Sequence, residues 1–541
     1  MAETTTPPPE RWSSRVGIIL AVAGSAVGLG NFLRFPGLAA QYGGASFLIA
    51  YFIALLLIGV PIGWAEWTLG RRGGQSGFHS SPGIFHSILR TPAGKYFGIF
   101  GFLVPVMIYM YYVYVEAWCL GYAFLAAKGE LTAGVDYGAL FARYTGAAQD
   151  GAALQFGFDS VGPWVLIVYL LNYFFIYRGI SKGIEKVCLY GMPVLIAIAL
   201  AILVRVLTLG TPDPLKPDQN VLNGLGFMWN PGNVAEDLKN PQLWLAASGQ
   251  IFFTLSVALG SIITYASYLK PKDDVVLSSL TAASANEFCE VGLGGLITVP
   301  AAFVFLGAAG VVGKGTFGLG FNVLPFVFSK MPFGGLFAFL FFLLLFLAAI
   351  TSSLSMLQPG IAFLEEGLGL TRKPAMALLG LITACGSLLV WWFSRDLKAL
   401  DTIDFWVGNC MVFVSGTALI LLFNRGLGIE RGWAEAHEGA EMRIPSVYKF
   451  VMRWITPAFL LAVFVLWVAG NVFGWNFELG AAAKFAPTGY VTDLVGPHPN
   501  AVARVTFLFI VICAVFGVLL INLAGKRWHA APREEGGGPE I

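Results

Sequence analysis

The chain has 541 residues, of which 57% are hydrophobic and only 12% are charged. Soluble domains carry about 25% charged residues, so the composition excludes a soluble globular protein. Lysine and arginine number 33 against 31 acidic residues, and this balance, without a basic stripe, excludes a nucleic-acid binder. Unbroken apolar runs, such as residues 336–349, exclude an outer-membrane barrel, whose strands alternate between apolar and polar residues.

Apolar segments follow one another along the chain, most of them as long as the roughly 20 residues that a membrane-spanning helix needs. The twelve segments are residues 15–40, 45–70, 96–126, 163–178, 187–209, 244–269, 276–312, 335–366, 374–393, 400–424, 448–471 and 501–524. They predict an all-α integral membrane protein with twelve transmembrane helices.

The charges between these segments predict the orientation. If the N-terminus is cytoplasmic, cytoplasmic segments hold 21 lysines and arginines and the opposite side holds nine. Cytoplasmic loops carry the excess of positive charge. We therefore expect a multi-pass protein of the inner (plasma) membrane, surrounded by lipid, with both termini cytoplasmic.

Two predicted spans contain small residues near the membrane centre, in residues 24–31 and 254–261. The sequences AVGLG at 26–30 and SVALG at 256–260 resemble each other. Each opens a set of five spans, so the second set is inverted, and interrupted helices at matching places of inverted repeats indicate a transporter binding site. The alternative is that the small residues only allow close packing between helices. That explains either segment alone, but it does not explain why two similar segments occur at matching places.

These spans divide the chain into predicted regions. They are a cytoplasmic tail at 1–14, a first five-helix repeat at 15–209, an extracellular loop at 210–243, a second repeat at 244–424, two further helices at 425–524 and a second cytoplasmic tail at 525–541.

Ionisable side chains inside spans are candidates for function because they are costly in lipid. Arg34 and Asp404 are both predicted near the outer side and suggest a gate pair, although unrelated charges at headgroup level also explain them. Glu66 and Glu116 are candidates too, but they could simply accept hydrogen bonds from the backbone of an unwound helix.

The eighth span carries the hydroxyl run Thr351-Ser352-Ser353, with the carbonyl of Ala348 on the same helix face. Na⁺ prefers oxygen ligands, and hydroxyls plus carbonyls from an unwound helix supply them without a charge. The alternative is that the hydroxyls bond back to their own helix. Asn286 and Glu290 also share one helix face, where they could instead hold helices together.

Longer strings connect these positions. They are AVGLGNFLRFP at 26–36, YYVYVEAW at 111–118, RGISKGIEK at 178–186, GQIFFTLS at 249–256, ITYASY at 263–268, TSS at 351–353, QPGIAFLEE at 358–366 and DFW at 404–406. In this order they resemble the neurotransmitter:sodium symporter family, most closely its bacterial members such as the leucine transporter. The resemblance runs from about residue 11 to residue 527.

The resemblance implies two inverted five-helix repeats with helices 1 and 6 unwound at mid-membrane, and sodium-driven uptake of a small amino acid by alternating access. The implied substrate contacts are Ala26, Leu29, Gly30, Ile108, Tyr112, Phe253, Thr254, Ser256, Leu259, Ser352 and Met356. The implied first sodium site is Ala26, Asn31, Thr254 and Asn286 with the substrate carboxylate. The implied second site is Gly24, Val27, Ala348, Thr351 and Ser352.

The resemblance also implies two gates. The outer gate is Arg34 with Asp404, and the inner gate is an N-terminal arginine with Tyr268, Gln358 and Glu366. Pro9 stands where bacterial relatives have the gating arginine, so Arg11 is the candidate. Members that need chloride have a serine at the position of Glu290, and we therefore expect no chloride requirement.

Departures from the bacterial pattern bear on the substrate. Leu259 replaces a phenylalanine and Met356 an isoleucine, while Gly28 stands where monoamine transporters place an aspartate. The apolar wall predicts a neutral, mostly apolar L-amino acid.

Other functions remain as alternatives. A channel needs a continuous polar pore, whereas the polar groups here cluster at two breaks. A membrane enzyme needs a nucleophile with a base, and no histidine lies in a predicted span, so we expect no enzyme. A transport-inactive amino-acid sensor of the same fold is the remaining alternative, and a homo-oligomer is left open.

Overall fold

The computed structural model describes residues 10–230, 232–475 and 486–530, where the regular elements are helices and no β-strand occurs. The first half contains α1 (Arg15–Ala26), α2 (Gly30–Gln41), α3 (Ala45–Gln75), α4 (Ser81–Leu89), α5 (Gly94–Ala127), α6 (Gly162–Tyr177) and α7 (Ile180–Leu207). The second half contains α8 (Pro241–Leu255), α9 (Ser261–Ala266), α10 (Val275–Leu306), α11 (Gly334–Leu368), α12 (Arg372–Trp392), α13 (Arg395–His437), α14 (Val447–Val472) and α15 (Ala501–Trp528).

Nine helices of the described residues are long and apolar enough to cross a membrane, and α1 with α2 adds a tenth if this bent pair is one span. Two other predicted spans, 163–178 and 244–269, correspond to the 16-residue α6 and to the separate helices α8 and α9. The all-helical membrane architecture follows from the apolar composition. The count of twelve spans stays a prediction. Most of each predicted cytoplasmic tail lies outside the described residues.

The first interruption separates α1 from α2, whose axes differ by 48°. Val27 is extended at the end of α1, and the N–H of Gly28 donates to Oδ1 of Asn31 at 2.8 Å. The Asn31 side chain therefore satisfies a backbone group that the helix has released, as a cap does at a helix end.

The second interruption separates α8 from α9 and contains left-handed backbone. Ser256, Ala258 and Gly260 have φ angles of 52°, 64° and 91°. This conformation costs a non-glycine residue about 1–2 kcal/mol, so the surrounding structure must hold it. A Cβ on Gly260 would lie 1.9 Å from the carbonyl oxygen of Gly101 in α5, and only glycine permits this approach.

Helices α5 and α11 form the centre of the molecule and pack against each other along their length. The most apolar stretch of α5 is 94% buried, whereas that of α14 and of α15 is 22% buried. The hydroxyl of Ser256 donates to the carbonyl of Ser25 at 2.8 Å, so the two interruptions also touch each other. Both interruptions therefore face the central pair of helices.

Candidate functional site

A cavity of about 180 Å³ lies between the two interruptions, α5 and α11. It is lined by every residue predicted to contact the substrate, namely Ala26, Leu29, Gly30, Ile108, Tyr112, Phe253, Thr254, Ser256, Leu259, Ser352 and Met356. The cavity continues past these residues to Arg34, Thr316, Asp401 and Asp404. The fold thus gathers into one space residues that lie hundreds of positions apart in the chain.

The wall of the inner part of this cavity is mainly apolar, with Ile108, Phe253, Leu259 and Met356 among its lining residues. Its serine hydroxyls are already paired with protein atoms, because Ser25 donates to the Ser355 hydroxyl at 2.7 Å and Ser256 donates to a backbone carbonyl. An uncharged, largely apolar side chain matches such a wall, since a charged one would lose hydration without gaining a partner.

Gly28 is closely packed by two hydroxyl groups. A Cβ at this position would lie 3.1 Å from the Ser352 hydroxyl and 3.2 Å from the Tyr112 hydroxyl. A carboxylate could be accommodated here only if these neighbours moved. The glycine therefore keeps the inner cavity free of a protein carboxylate at this point.

The side chains predicted for the first sodium site form one buried cluster. Nδ2 of Asn31 donates to Oδ1 of Asn286 at 2.8 Å and to the Thr254 hydroxyl at 3.3 Å. Nδ2 of Asn286 donates to the same hydroxyl at 2.9 Å. Amide, hydroxyl and carbonyl oxygens are ligands that a hard cation accepts. Ala26, the remaining residue predicted for this site, lines the substrate cavity together with Asn31 and Thr254.

Glu290 lies beside this cluster and is fully buried. Its carboxylate accepts hydrogen bonds from Nε2 of Gln250 at 2.7 Å and from Nδ2 of Asn31 at 3.1 Å. The described residues give it no ion pair with lysine or arginine. A buried carboxylate without a basic partner is costly, and a nearby cation would offset that cost.

The atoms predicted for the second sodium site converge on Ser352. Its hydroxyl lies 3.4 Å from the carbonyl oxygen of Gly24, 3.5 Å from that of Val27 and 3.1 Å from that of Ala348. The Thr351 hydroxyl lies 3.0 Å from the Ala348 carbonyl. Both hydroxyls do bond back to α11, but the ends of α1 add the further carbonyls that a cation needs.

A transition-metal site finds no support in the part of the chain that the structure describes, where no group of three or more histidine, cysteine or acidic residues lies close enough to hold a metal. The two oxygen clusters consist of neutral groups, and two carboxylates, Glu287 and Glu290, lie next to the first at 3.4 and 3.5 Å from Nδ2 of Asn286. Neutral oxygen donors suit a weakly charged hard cation.

The predicted outer gate residues line the same cavity but do not touch each other. The Arg34 guanidinium lies over the Phe253 ring, 4.5 Å from its centre. The Asp404 carboxylate accepts hydrogen bonds from Tyr111 at 2.6 Å and from Asn409 at 3.3 Å. Among the described residues the two charges form no ion pair, although both line the cavity.

Three of the predicted inner gate residues lie in one neighbourhood. Nε2 of Gln358 donates to the Tyr268 hydroxyl at 3.2 Å. The Tyr268 ring stacks on that of His79, with ring centres 4.4 Å apart. Glu366 accepts hydrogen bonds from the backbone N–H groups of His79 and Ser80 at 2.6 and 2.8 Å. His79 thus links the Glu366 side of this network to Tyr268.

Arg11 does not join this network. It is exposed and makes no ion pair or hydrogen bond with a described residue. The adjacent Trp12 points inward, where its ring packs against that of Tyr265 and its Nε1 donates to the Tyr265 carbonyl at 2.9 Å. Arg11 is then left on the solvent side of this segment. The cation next to Gln358 is instead Arg372, which donates to its Oε1 at 3.3 Å.

Further contacts close this side of the molecule and were not anticipated from the sequence. Arg372 pairs with Glu10 at 3.1 Å, and Arg15 pairs with Asp274 at 3.1 Å. These partners lie 362 and 259 residues apart. No local spacing pattern relates residues at such separations, so only the fold reveals the pairs.

Comparison with known proteins identifies the family. The sequence model described as "Sodium:neurotransmitter symporter family" matches residues 9–134 and 154–521. The chain belongs to this family. Family members are sodium-dependent membrane transporters, which agrees with the predicted resemblance and with the apolar helices.

Individual relatives extend this finding. The chain is 30% identical over 476 residues to the "uncharacterized sodium-dependent transporter YhdH" of Bacillus subtilis, covering 84% of this chain and 97% of the relative. It is 28% identical over 305 residues to the mouse "sodium-dependent neutral amino acid transporter B(0)AT1", covering 52% and 44%. Other relatives are named as sodium- and chloride-dependent.

A solved structure shows the same fold. The crystal structure of MhsT in complex with L-phenylalanine superimposes with a TM-score of 0.72 at 29% identity, covering 84% of this chain and 99% of that one.

Proposed function

We propose that this protein is a symporter that uses the sodium gradient to take up neutral, mostly apolar L-amino acids by alternating access. In this proposal it crosses the inner membrane twelve times, as two inverted five-helix repeats followed by two helices, with both termini cytoplasmic. The observation that carries the proposal is one apolar-walled cavity at two helix interruptions, adjoining two clusters of oxygen atoms.

Each oxygen cluster is proposed to hold one sodium ion as a co-transported substrate. Asn31, Thr254 and Asn286 with the Ala26 carbonyl form the first site, which the substrate carboxylate completes. The second site consists of the Thr351 and Ser352 hydroxyls and the carbonyls of α1 and α11. The N-terminus of α2 at Gly30 directs free backbone N–H groups toward an anionic substrate group.

The two ends of the cavity suggest the direction of access. It reaches Arg34 and Asp404, which stand apart. On the opposite side Trp12, Arg15 and Glu10 tie the N-terminal segment to Tyr265, Asp274 and Arg372. We propose that this arrangement faces outward, and that closure brings Arg34 to Asp404 over the substrate while the inner contacts break.

Glu290 is proposed to supply the negative charge that chloride supplies in other members of the family. It lies on α10 one turn from Asn286, and its carboxylate reaches the amide groups of the first cluster. With this carboxylate in place, the proposed symporter would not require chloride.

Uptake into proteoliposomes tests the proposal. We expect labelled leucine to accumulate when sodium is high outside, and to stop accumulating when potassium replaces sodium or when an ionophore collapses the gradient. Protein-free liposomes serve as the control. A transport-inactive sensor, the second candidate, would bind leucine in a sodium-dependent way in detergent yet accumulate none, and that result would overturn the symporter proposal.

A further inference from the structure

A second large cavity lies away from the substrate site, on the face that we propose to be cytoplasmic. Its volume is about 770 Å³, and it is bounded by the end of α3, by α4 and by the last part of α13. Arg72, Arg90 and Arg431 all line it. This size is in the range of cavities that enclose small ligands or the headgroups of lipids.

Two of the three arginines in this cavity are unpaired, although Glu435 and Glu438 also line it. Arg90 and Arg431 are exposed and have no ion pair or hydrogen bond with another described side chain. Arg72 lies 3.5 Å from Glu435, but that carboxylate is shared with Arg71 at 3.6 Å. The cavity therefore offers guanidinium groups, which bind phosphate oxygens in a bidentate manner, and leaves two of them available.

His437, which also lines the cavity, adds no charge. Its Nε2 accepts a hydrogen bond from the backbone N–H of Ile444 at 3.0 Å. Its Nδ1 lies 2.7 Å from the carbonyl oxygen of Trp433 and must be the donor there. A ring with one donor and one acceptor nitrogen is neutral. The positive charge of the cavity therefore comes from its arginines, and Glu435 and Glu438 contribute the negative charge.

An apolar groove adjoins this cavity. It has a volume of about 630 Å³ and lies between α4, α5, α13 and α14, with Phe85, Phe100, Leu421 and Phe464 among its lining residues. Gly426 lines both the groove and the cationic cavity. A Cβ at Gly426 would lie 2.9 Å from the Leu89 side chain, so a larger residue would narrow the place where the two cavities adjoin.

Arg425 stands at the same junction. It lines the groove next to Gly426, is exposed and has no ion pair with a described residue. The apolar groove thus ends beside Arg425, and Arg72, Arg90 and Arg431 line the adjoining cavity. This order of apolar and cationic surface matches one molecule with acyl chains at one end and a phosphate at the other.

We propose that the cavity and the groove together bind one anionic phospholipid of the cytoplasmic leaflet, with its phosphate between Arg72, Arg90 and Arg431 and an acyl chain along the groove. Bound there, the lipid bridges α4, which contacts the inner gate through Ser80, to α13, which carries Asp404 of the outer gate. The lipid would therefore stabilise the packing of these two elements.

Binding of defined lipids to the purified full-length protein tests the proposal. Native mass spectrometry in detergent counts and titrates dioleoylphosphatidylglycerol, with dioleoylphosphatidylcholine as the zwitterionic comparison. We expect one phosphatidylglycerol to bind more tightly than any phosphatidylcholine. Each arginine near a membrane surface contributes about 1 kcal/mol, so the double variant Arg90→Gln, Arg431→Gln should weaken this affinity roughly 30-fold.

Two further variants make the test specific. Arg443→Gln removes an exposed arginine outside both cavities and should leave the affinity unchanged. Ala418→Phe should weaken phosphatidylglycerol binding by filling the apolar groove without changing the charge.

Three results would overturn the proposal. Equal affinity for the two lipids would show that the arginines do not recognise the anionic headgroup. Equal losses of phosphatidylglycerol affinity in the double variant and in Arg443→Gln would show that the effect is not specific to this cavity. If inorganic phosphate displaces the lipid signal fully and Ala418→Phe has no effect, the cavity is a site for soluble anions instead.

Discussion

Ser352 is the residue on which the second oxygen cluster depends most, because its hydroxyl lies within 3.5 Å of carbonyls from both α1 and α11. Thr351 adds the other hydroxyl, and Asn286 supplies the amide oxygen of the first cluster. We expect Thr351→Ala or Asn286→Ala to raise the sodium concentration for half-maximal leucine binding severalfold or more, since each removes an oxygen ligand.

Thr281 provides the matched control for this measurement. Its hydroxyl donates to its own helix at 2.7 Å from the exposed surface of α10. Thr281→Ala should leave the sodium dependence of leucine binding unchanged. Unchanged sodium dependence in Thr351→Ala and Asn286→Ala as well would contradict the assignment of both sites.

Glu290 is the residue that we propose to take the place of chloride. It is buried within hydrogen-bond distance of Asn31 and Gln250, so removing its charge leaves Glu287, 3.4 Å from Nδ2 of Asn286, as the remaining carboxylate beside the proposed first sodium site. We expect Glu290→Ser to make uptake depend on chloride, measured as initial rates in chloride and in gluconate buffers. Wild-type uptake that collapses in gluconate would disprove the role of Glu290.

Some of these residues could be predicted from sequence and others could not. Asn286 and Glu290 are four residues apart on α10, and Thr351 and Ser352 interrupt an apolar run, so local periodicity identifies them. Arg372 is the cation beside Gln358 in the structure, whereas Arg11 is exposed, and a gating role for Arg11 stays a prediction. The contact of Arg372 with Gln358 and the inward turn of Trp12 are tertiary features that no local pattern encodes.

The interruption between α8 and α9 shows how an element positions the site. Gly260 allows this segment to approach α5, because a Cβ would lie 1.9 Å from the Gly101 carbonyl and φ is 91°. We expect Gly260→Ala to abolish leucine binding or lower the melting temperature by several degrees. The control is Gly335→Ala in α11, which has no neighbour within 4 Å and should be neutral or slightly stabilising.

The loop between α3 and α4 gives the inner network a pH dependence through His79. Burial lowers the pKa of His79 below its ordinary value of 6.5. The Ser267 hydroxyl donates to Thr264, so Nδ1 of His79 donates to Ser267, and a second proton would charge a ring stacked on Tyr268.

The unfolded chain therefore binds a proton more readily than the folded one, and stability falls as the pH drops below 6.5. We expect the melting temperature of the wild type to fall more between pH 7 and pH 5 than that of His79→Phe, which keeps a stacking ring. Parallel pH profiles for the two proteins would show that His79 contributes nothing.

At the scale of the whole molecule, composition and periodicity predict an all-helical membrane protein, and the similar segments at 26–30 and 256–260 predict where its helices are interrupted. The 16-residue segment 163–178 yields the 16-residue α6, and 244–269 divides into α8 and α9 at the predicted interruption. The conformation of that interruption is less predictable, because the left-handed backbone of Ser256 and Ala258 is held by contacts with distant segments. The burial of α5 likewise follows from packing against α11.

The lining of the assembled cavity predicts which amino acids the proposed symporter would carry. Its wall includes Ile108, Phe253, Leu259 and Met356, and Gly28 leaves no protein carboxylate to replace that of the substrate. A flexible methionine side chain adapts to several shapes, so leucine, methionine and phenylalanine should all fit. Glutamate and lysine should not, since their charges would be buried without a partner.

Competition by the twenty amino acids against labelled leucine in sodium buffer measures this preference. We expect leucine, methionine and phenylalanine to compete strongly, and glutamate, lysine and a monoamine such as tyramine to compete weakly. The Met356→Ala variant enlarges the cavity and should shift the order toward the larger aromatic side chains, because the added space lies against the side chain of the substrate. Strong competition by glutamate or lysine, with none by the apolar amino acids, would show that the cavity recognises a different substrate class.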